Sequence, residues 1–415
     1  MNSRQRFLEV MDFNTSVRPP KWEYAYWGET LNRWYAEGLP RKHFVQLPGT
    51  ITTPTASLYA TAYGRQAELL KKGIIARGQV VFGGGVYWPT QGVPKDRDVE
   101  SYFEFDEGII LLDVNQLFCP MFDPEVVEET EKTFIYRDLD GITRVYQKEE
   151  STMPTAVDWI VKDWPSWNEL KDTRLSTKDV AGRFPSDWAR SVEEHKGRSY
   201  PLALGGYPHG LFGTLSHIMG YENLFLSYYD QPGLVHDILT RFTELWMCVW
   251  EEVLGELEID MVHFFEDVSM GTGSMISPAL FREFMMPYYR RLCAFLRSKE
   301  VNVILVDTDG DCTDLVPLFM ESGITGLYPM ETSTGMDIRK IRKDYRRLQM
   351  LGGISKYSLV QGNKTIDASL AVVRDLLGSG GYVPYVDHSV PPAVSWSDFH
   401  SYRSKLNLLI NESGE

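Results

Sequence analysis

From residue 200 onward, short apolar runs rich in β-branched and aromatic residues alternate with longer stretches whose apolar positions recur every three or four residues. That alternation of strand and helix patterns marks repeated βα units and a parallel sheet. Six runs read as strands: residues 200–206, 259–267, 301–309, 324–331, 348–354 and 381–388. The intervals have helical spacing; after Met275, Ser277 is placed to cap a helix with Pro278 in its first turn and Leu280, Phe284 and Tyr288 along one face. Two further strands are expected upstream, KWEYAYW at 21–27 and GIILLDVN at 108–115, the second a near-continuous apolar run suited to burial on both faces. Eight strands alternating with helices predict an α/β chain, a (β/α)8 TIM barrel with an N-terminal helical extension.

Between the second and third strands, TFIYRDLDGITRVYQ carries Asp140-Gly141 flanked by β-rich residues, which predicts an antiparallel hairpin inserted outside the barrel at about 130–150. Residues 83–98, with three consecutive glycines and two prolines, read as a mobile loop without phosphate-loop context. No internal repeat, low-complexity tract or linker stands out, so residues 1–415 are expected to form one domain.

Composition narrows the function classes. The chain is 43% apolar and 13% aromatic, enough for a large core, and its net charge of −15 opposes a nucleic-acid partner. The basic run at 339–347 is expected to be a solvated helix face. No apolar stretch is long enough for a signal peptide or a membrane span, so a cytoplasmic, membrane-free location is expected. Cys119, Cys248, Cys293 and Cys312 are widely spaced, which argues against a disulfide framework or a cysteine-rich zinc site.

In such barrels the chemistry sits at the C-terminal strand ends. The polar residues there are Asp113, Tyr207 and His209, Glu266 and Asp267, Asp307 with Thr308 and Asp309, Glu331, Lys356, and Asp387 with His388. Crowded carboxylates raise one another's pKa or take up a cation, so a bound metal is inferred. Asp307 and Asp309, one residue apart, point to the same side and form a candidate chelate, while His388 reads either as a functional strand-end residue or as a histidine satisfied by Asp387 or a carbonyl. Asp311 and Asp314 are read instead as helix caps, His217 as a packing residue on a helix, and His263 as core.

Taken together, GIILLDVN, GGYPHGLFGTLSHIMGYENL, the Glu266-Asp267 strand end with SPALFREFMMPYYRRL, DTDGD, ESGITGLYPME, MLGGI and GGYVPYVDHSVPP resemble the uroporphyrinogen decarboxylase superfamily, which includes corrinoid and coenzyme M methyltransferases. Asp113 resembles the aspartate that contacts pyrrole nitrogens in the decarboxylases. Their arginine-rich loop has no counterpart in YAYWGET, where Glu29 stands instead. Where the coenzyme M enzymes carry His-x-Cys-Gly and a final-strand cysteine around zinc, this chain has Asp307-Thr308-Asp309-Gly310 and His388.

Carboxylates in place of thiolates suit a harder, more Lewis-acidic centre. The resemblance then implies a corrinoid-linked methyltransferase. Zinc or another divalent metal on Asp307, Asp309 and His388 would polarise a small methoxylated or methylated substrate, and a separate cobalamin protein would supply the corrinoid. Asp113, Tyr207, His209, Glu266 and His388 are the candidate catalytic residues, with Glu266 and Glu331 also candidates for a fourth ligand or for orienting the histidine. Trp27, Glu331 and Tyr382 are candidates for substrate binding, and Trp22 and Tyr24 for the pocket wall. Two alternatives remain open: a cofactor-free decarboxylase using Asp113 and His388, and a non-catalytic barrel that binds a cationic or metal-bound small ligand.

Overall fold

The computed structural model of the protein describes residues 1–42, 97–147 and 154–414. The glycine-rich segment up to residue 96 and the loop around Met153 lie outside the described residues. In chain order, a helix over Ser3–Met11 opens with a capping box on Asn2, and an extended segment at 21–27 leads into a second helix, Gly28–Glu37. β1 (Ile110–Leu111) follows. An inserted antiparallel sheet comes next, of β2 (Glu125–Glu129), β3 (Thr133–Arg137), β4 (Thr143–Gln147) and β5 (Thr155–Asp158). Then come β6 (Leu202–Gly205), β7 (Met261–Phe265), a small hairpin of β8 (Ser269–Met270) and β9 (Gly273–Ser274), β10 (Ile304–Asp307), β11 (Gly326–Met330), β12 (Gln349–Ile354) and β13 (Tyr382–Val386).

Seven of these strands form one curled parallel sheet in the order β1-β6-β7-β10-β11-β12-β13, with helices between successive strands, a TIM-like α/β arrangement. The segment 21–27, expected as the eighth strand, makes a single parallel bridge, Tyr26 to Val390, and is otherwise extended without a ladder. It touches both edges of the sheet all the same: the Asp106 N–H donates to the Lys21 carbonyl, and the Val390 N–H to that of Ala25.

Strand parity divides the core in two. Ala203, Met261, Leu305, Tyr328, Leu351, Val383 and Tyr385 face the concave interior, where they meet Trp22, Phe7 and Val10. Leu204, Val262, Phe264, Val306, Leu327 and Met350 face outward and pack under the helices. Both faces of each strand are therefore buried, which is why these runs read as continuous rather than alternating hydrophobicity.

Ser277 caps its helix as expected, its Oγ accepting from the Leu280 N–H, with Pro278 in the first turn. A π-helical turn at Phe281–Met285 then re-phases the helix, so its buried face is Phe281, Phe284, Tyr289, Leu292 and Leu296 rather than the Leu280–Phe284–Tyr288 stripe. The basic run is not wholly solvated either. Arg342 is buried and donates to the carbonyls of Leu348 and Gly381.

The Asp140-Gly141 turn does join two antiparallel strands, with Gly141 at φ +77°. The insertion is larger than a hairpin because β2, with all five residues exposed, and β5 add an outer strand on each side.

Candidate active site

Parity along β7 decides which carboxylates enter the interior. Met261, His263 and Phe265 point inward, so Asp267 continues that face while Glu266 turns outward. The same rule on β10 puts Leu305, Asp307 and Asp309 inside. Carboxylate oxygens of Asp267, Asp307 and Asp309 consequently lie within 4.8 Å of one another. His388, two residues beyond β13, brings its Nε2 to 3.2 Å from Asp309 Oδ2, and the Tyr24 ring lies 5.5 Å from the imidazole.

Beneath this cluster, His263 Nε2 is 3.1 Å from Asp307 Oδ2, and the Tyr328 hydroxyl contacts the same imidazole. Burial pushes the His263 pKa down to about 3, so the ring is neutral and supports Asp307 through a hydrogen bond alone. Burial and the Asp309 charge push Asp307 well above the ordinary carboxylate range, and burial with Asp309 and Asp307 does the same to Asp267. Burial acts against a charged His388, but the hydrogen bond and charge of Asp309 raise its pKa overall. Asp267 also sits at φ +45°, a backbone conformation that is costly for a residue with a Cβ and that clusters at functional sites. The Oδ1 atom of Asp309 is buried without a hydrogen-bond partner.

Glu266 has a different occupation. Its carboxylate accepts from the N–H groups of Leu211, Phe212 and Gly213 at 2.7, 2.6 and 2.9 Å and from the Tyr289 hydroxyl, and it is fully buried. It caps the helix Leu211–Met219 from below, and both oxygens are spent there rather than on a ligand. Asp387 likewise accepts from Ser333 and from the Lys356 N–H. Glu331 stands beside the cluster, bound to the Gly310 N–H at 2.6 Å and to Lys356 Nζ at 2.9 Å. Asp311 caps the turn at Thr313, as the sequence suggests.

Of the remaining candidates, Tyr207 is half-buried at this mouth, its ring edge-on to Phe265. His209 is buried, its Nδ1 on the Gly206 carbonyl at 2.9 Å, and burial lowers its pKa to about 3. Asp113 is buried just past β1. Trp27 precedes the helix Gly28–Glu37, its N–H toward the Val390 carbonyl. Tyr382 is not brought to this face: it is the first residue of β13, packs in the outer layer, and its hydroxyl donates to the Gly352 carbonyl. Trp22 is likewise core, ring to ring with Phe7.

Asp140, Arg144 and His217 were not singled out for chemistry by the sequence pattern, yet they stand behind Tyr207. Arg144 makes a paired contact with Asp140 at 2.8 and 2.6 Å, His217 Nε2 is 3.0 Å from Asp140 Oδ2, and His217 Nδ1 is 3.0 Å from the Tyr207 hydroxyl. Among the described residues no helix is long and apolar enough to cross a membrane.

A methyltransferase from Methanosarcina mazei has a similar fold, with a TM-score of 0.51 at 14% identity over 99% of both chains. A B12-independent methionine synthase from Shewanella sp. W3-18-1 aligns over 55% of this chain and 69% of its own, at 10% identity and a TM-score of 0.35, too low to bear on the fold. No curated protein matches in sequence. The family profile of uroporphyrinogen decarboxylase (URO-D) matches residues 170–402, more than half of the chain and all of β6 to β13 with their strand-end carboxylates, and the chain belongs to that family.

Proposed function

We propose that this chain is a methyltransferase of the family, taking a methyl group from a small methoxylated or methylated substrate with a divalent metal held at the strand ends. The observation that carries the proposal is the cluster of Asp267, Asp307 and Asp309 within 4.8 Å, with His388 on Asp309. Three carboxylates at that spacing, two of them pushed toward protonation, call for a cation. The residues fit one: the donors are oxygens and one imidazole, and a buried Asp309 oxygen lacks any other partner. Asp267 therefore joins Asp307, Asp309 and His388 as a ligand. The oxygen-rich set suits zinc or a harder divalent ion better than it suits thiol activation.

When bound, such an ion acts as a Lewis acid toward the heteroatom that carries the methyl group. The protein's own residues do the rest. His263 and Tyr328 hold Asp307 from below, and Tyr24 flanks His388. The Lys356–Glu331 pair fixes the loop at Gly310. The acceptor we assign is a corrinoid on a separate protein docking over the mouth.

Metal content of the purified protein, measured by mass spectrometry before and after incubation with zinc or manganese, tests the centre. We expect about one ion per chain in the wild type and at least about a 100-fold weaker affinity in Asp267→Asn and Asp309→Asn. A wild type that retains no divalent ion under any of these conditions overturns the metal-assisted mechanism and leaves the cofactor-free decarboxylase ahead.

A further inference from the structure

The inserted sheet reaches the mouth through a chain of buried polar groups that ends on Tyr207. Asp140 sits in the β3–β4 turn, paired with Arg144, and contacts His217 Nε2 at 3.0 Å. Nε2 faces the Asp140 carboxylate outside hydrogen-bond geometry; the tautomer with its hydrogen on Nε2 is the one the negative charge favours, and it leaves Nδ1 of the neutral ring as an acceptor. The Tyr207 hydroxyl, 3.0 Å away, therefore donates to His217 Nδ1. The Arg144 guanidinium acts on the same phenol, opposing the rise in its pKa. His217 is 9% exposed and Arg144 2%, whereas Tyr207 is half-buried, its ring edge-on to Phe265 at the end of β7.

We infer that Asp140, His217 and Tyr207 form a proton relay, delivered by the inserted sheet, in which Tyr207 exchanges a proton with the substrate. In the accepting sense an X–H bond of a bound molecule breaks as its proton passes to the Tyr207 oxygen, and the Tyr207 O–H bond breaks as that proton passes to His217 Nδ1; methyl transfer uses the delivering sense, in which the heteroatom that loses its methyl group takes the proton up. The imidazolium so formed is paired with Asp140, and the reverse sequence returns the proton. Tyr207 is the catalytic residue; His217 and Asp140 act through it, and Arg144 fixes Asp140 and polarises the phenol. The inference rests on this mouth being the catalytic face, as proposed above.

The surrounding charges fit that role. Burial lowers the His217 pKa against the pull of Asp140, with Arg144 lowering it further, so the ring rests neutral and ready to accept. Burial pushes the Tyr207 phenol up to about 12, with Arg144 opposing and Asp140 and Asp267 adding to the rise, so the phenol rests protonated. Among the described residues, Tyr136 and Asp138 of the inserted sheet are further titratable groups on that side.

The test needs no substrate. Methanesulfonyl fluoride forms an O–S bond with a tyrosine oxygen as the S–F bond breaks, fluoride leaves and the phenolic proton goes to a base. An ordinary exposed phenol such as Tyr229 must ionise first, so its labelling rises about tenfold per pH unit below its pKa. With His217 as the base, labelling of Tyr207 is expected to be nearly flat between about pH 7 and 9 and faster than at Tyr229, as read by peptide mass spectrometry. His217→Gln should slow it at least about tenfold at pH 7 and restore the steep profile, with Asp140→Asn intermediate, in variants shown folded by circular dichroism. A Tyr207 that tracks Tyr229 in pH profile, stays unlabelled, or is indifferent to His217→Gln overturns the relay. Should both variants unfold, the wild-type profile decides alone. Metal-free protein is used throughout, so failure of the metal centre and failure of the relay are read separately.

Discussion

Asp140 is a carboxylate with 4% of its side chain exposed, and burial alone would favour its neutral form. Hydrogen bonds from Arg144, the close approach of His217 and the charge of Arg144 outweigh burial and hold its pKa well below the ordinary range. A depressed folded pKa contributes stability that is complete above the unfolded value, near 4, and that is lost as the pH falls through the folded value. Asp140→Asn should therefore cost about 3–5 kcal/mol at pH 7, the usual result of orphaning one partner of a buried pair. The gap to wild type should narrow steadily below about pH 4, as followed by urea unfolding at a series of pH values. A gap independent of pH would mean that the ionised carboxylate is not what the pair contributes. The local pattern was informative only where chemistry and strand coincide. Asp307-x-Asp309 at a strand end carries its own parity, and His388 lies two residues beyond the last strand. Glu266 and Asp267 are adjacent, and only the register of His263 and Phe265 tells which of them faces inward, since a one-residue shift exchanges the two faces. Nothing local to Asp140 and Arg144 announces a contact with His217, more than 70 residues away in the chain.

The start of the helix Leu211–Met219 lies directly on the end of β7. A Cβ at Gly213 would stand 1.9 Å from the Phe265 carbonyl oxygen, and one at Gly210 2.0 Å from the same atom. That close approach is what lets three helix N–H groups reach Glu266 and pins the strand end that carries Asp267. Gly213→Ala should cost about 3 kcal/mol, because backbone opposes backbone and neither can yield cheaply, and it should weaken metal binding as the β7 end shifts. Gly255, near the end of the helix Pro232–Glu256, has open space around it, so Gly255→Ala should stabilise by about 0.5–1 kcal/mol through helix propensity alone. Thermal melts of the two variants moving in opposite directions would check both. Element positions were legible where burial on both faces left an uninterrupted apolar run, as in β6, β10, β12 and β13. They were less so where context rules. The EVVEE strand β2 is exposed throughout and has no alternation to read, and at the π turn Phe281–Met285 the following Pro287, which has no N–H to bond back to Glu283, marks an irregularity without telling which face it turns inward.

At the scale of the molecule, the two ends of the chain are held together by a buried charge. Glu23 is fully buried in the segment 21–27; its carboxylate accepts from the Val386 N–H at 2.8 Å and the Tyr402 hydroxyl at 2.9 Å and lies 3.4 Å from Arg403 Nη1. Arg403, equally buried in the C-terminal helix Trp396–Glu412, also donates to the Trp22 carbonyl at 2.8 Å. The segment that makes only one ladder bridge is thus fastened to the last strand and the last helix by side chains. This is why a strand-like pattern at 21–27 could be read from sequence while the manner of its attachment could not. Val386 stands two residues before His388, so the same carboxylate anchors the edge from which the imidazole reaches Asp309. Glu23→Gln leaves the Arg403 guanidinium buried beside a neutral amide, which should cost about 3–5 kcal/mol. If the chain ends stay attached, the urea midpoint falls while the slope of stability against urea holds, because the same surface is exposed on unfolding. Divalent-metal affinity should fall with it, by about tenfold, as His388 loses its fixed approach. A lower slope with metal affinity intact would mean instead that the N-terminal segment separates by itself and that the strand-end cluster does not depend on it.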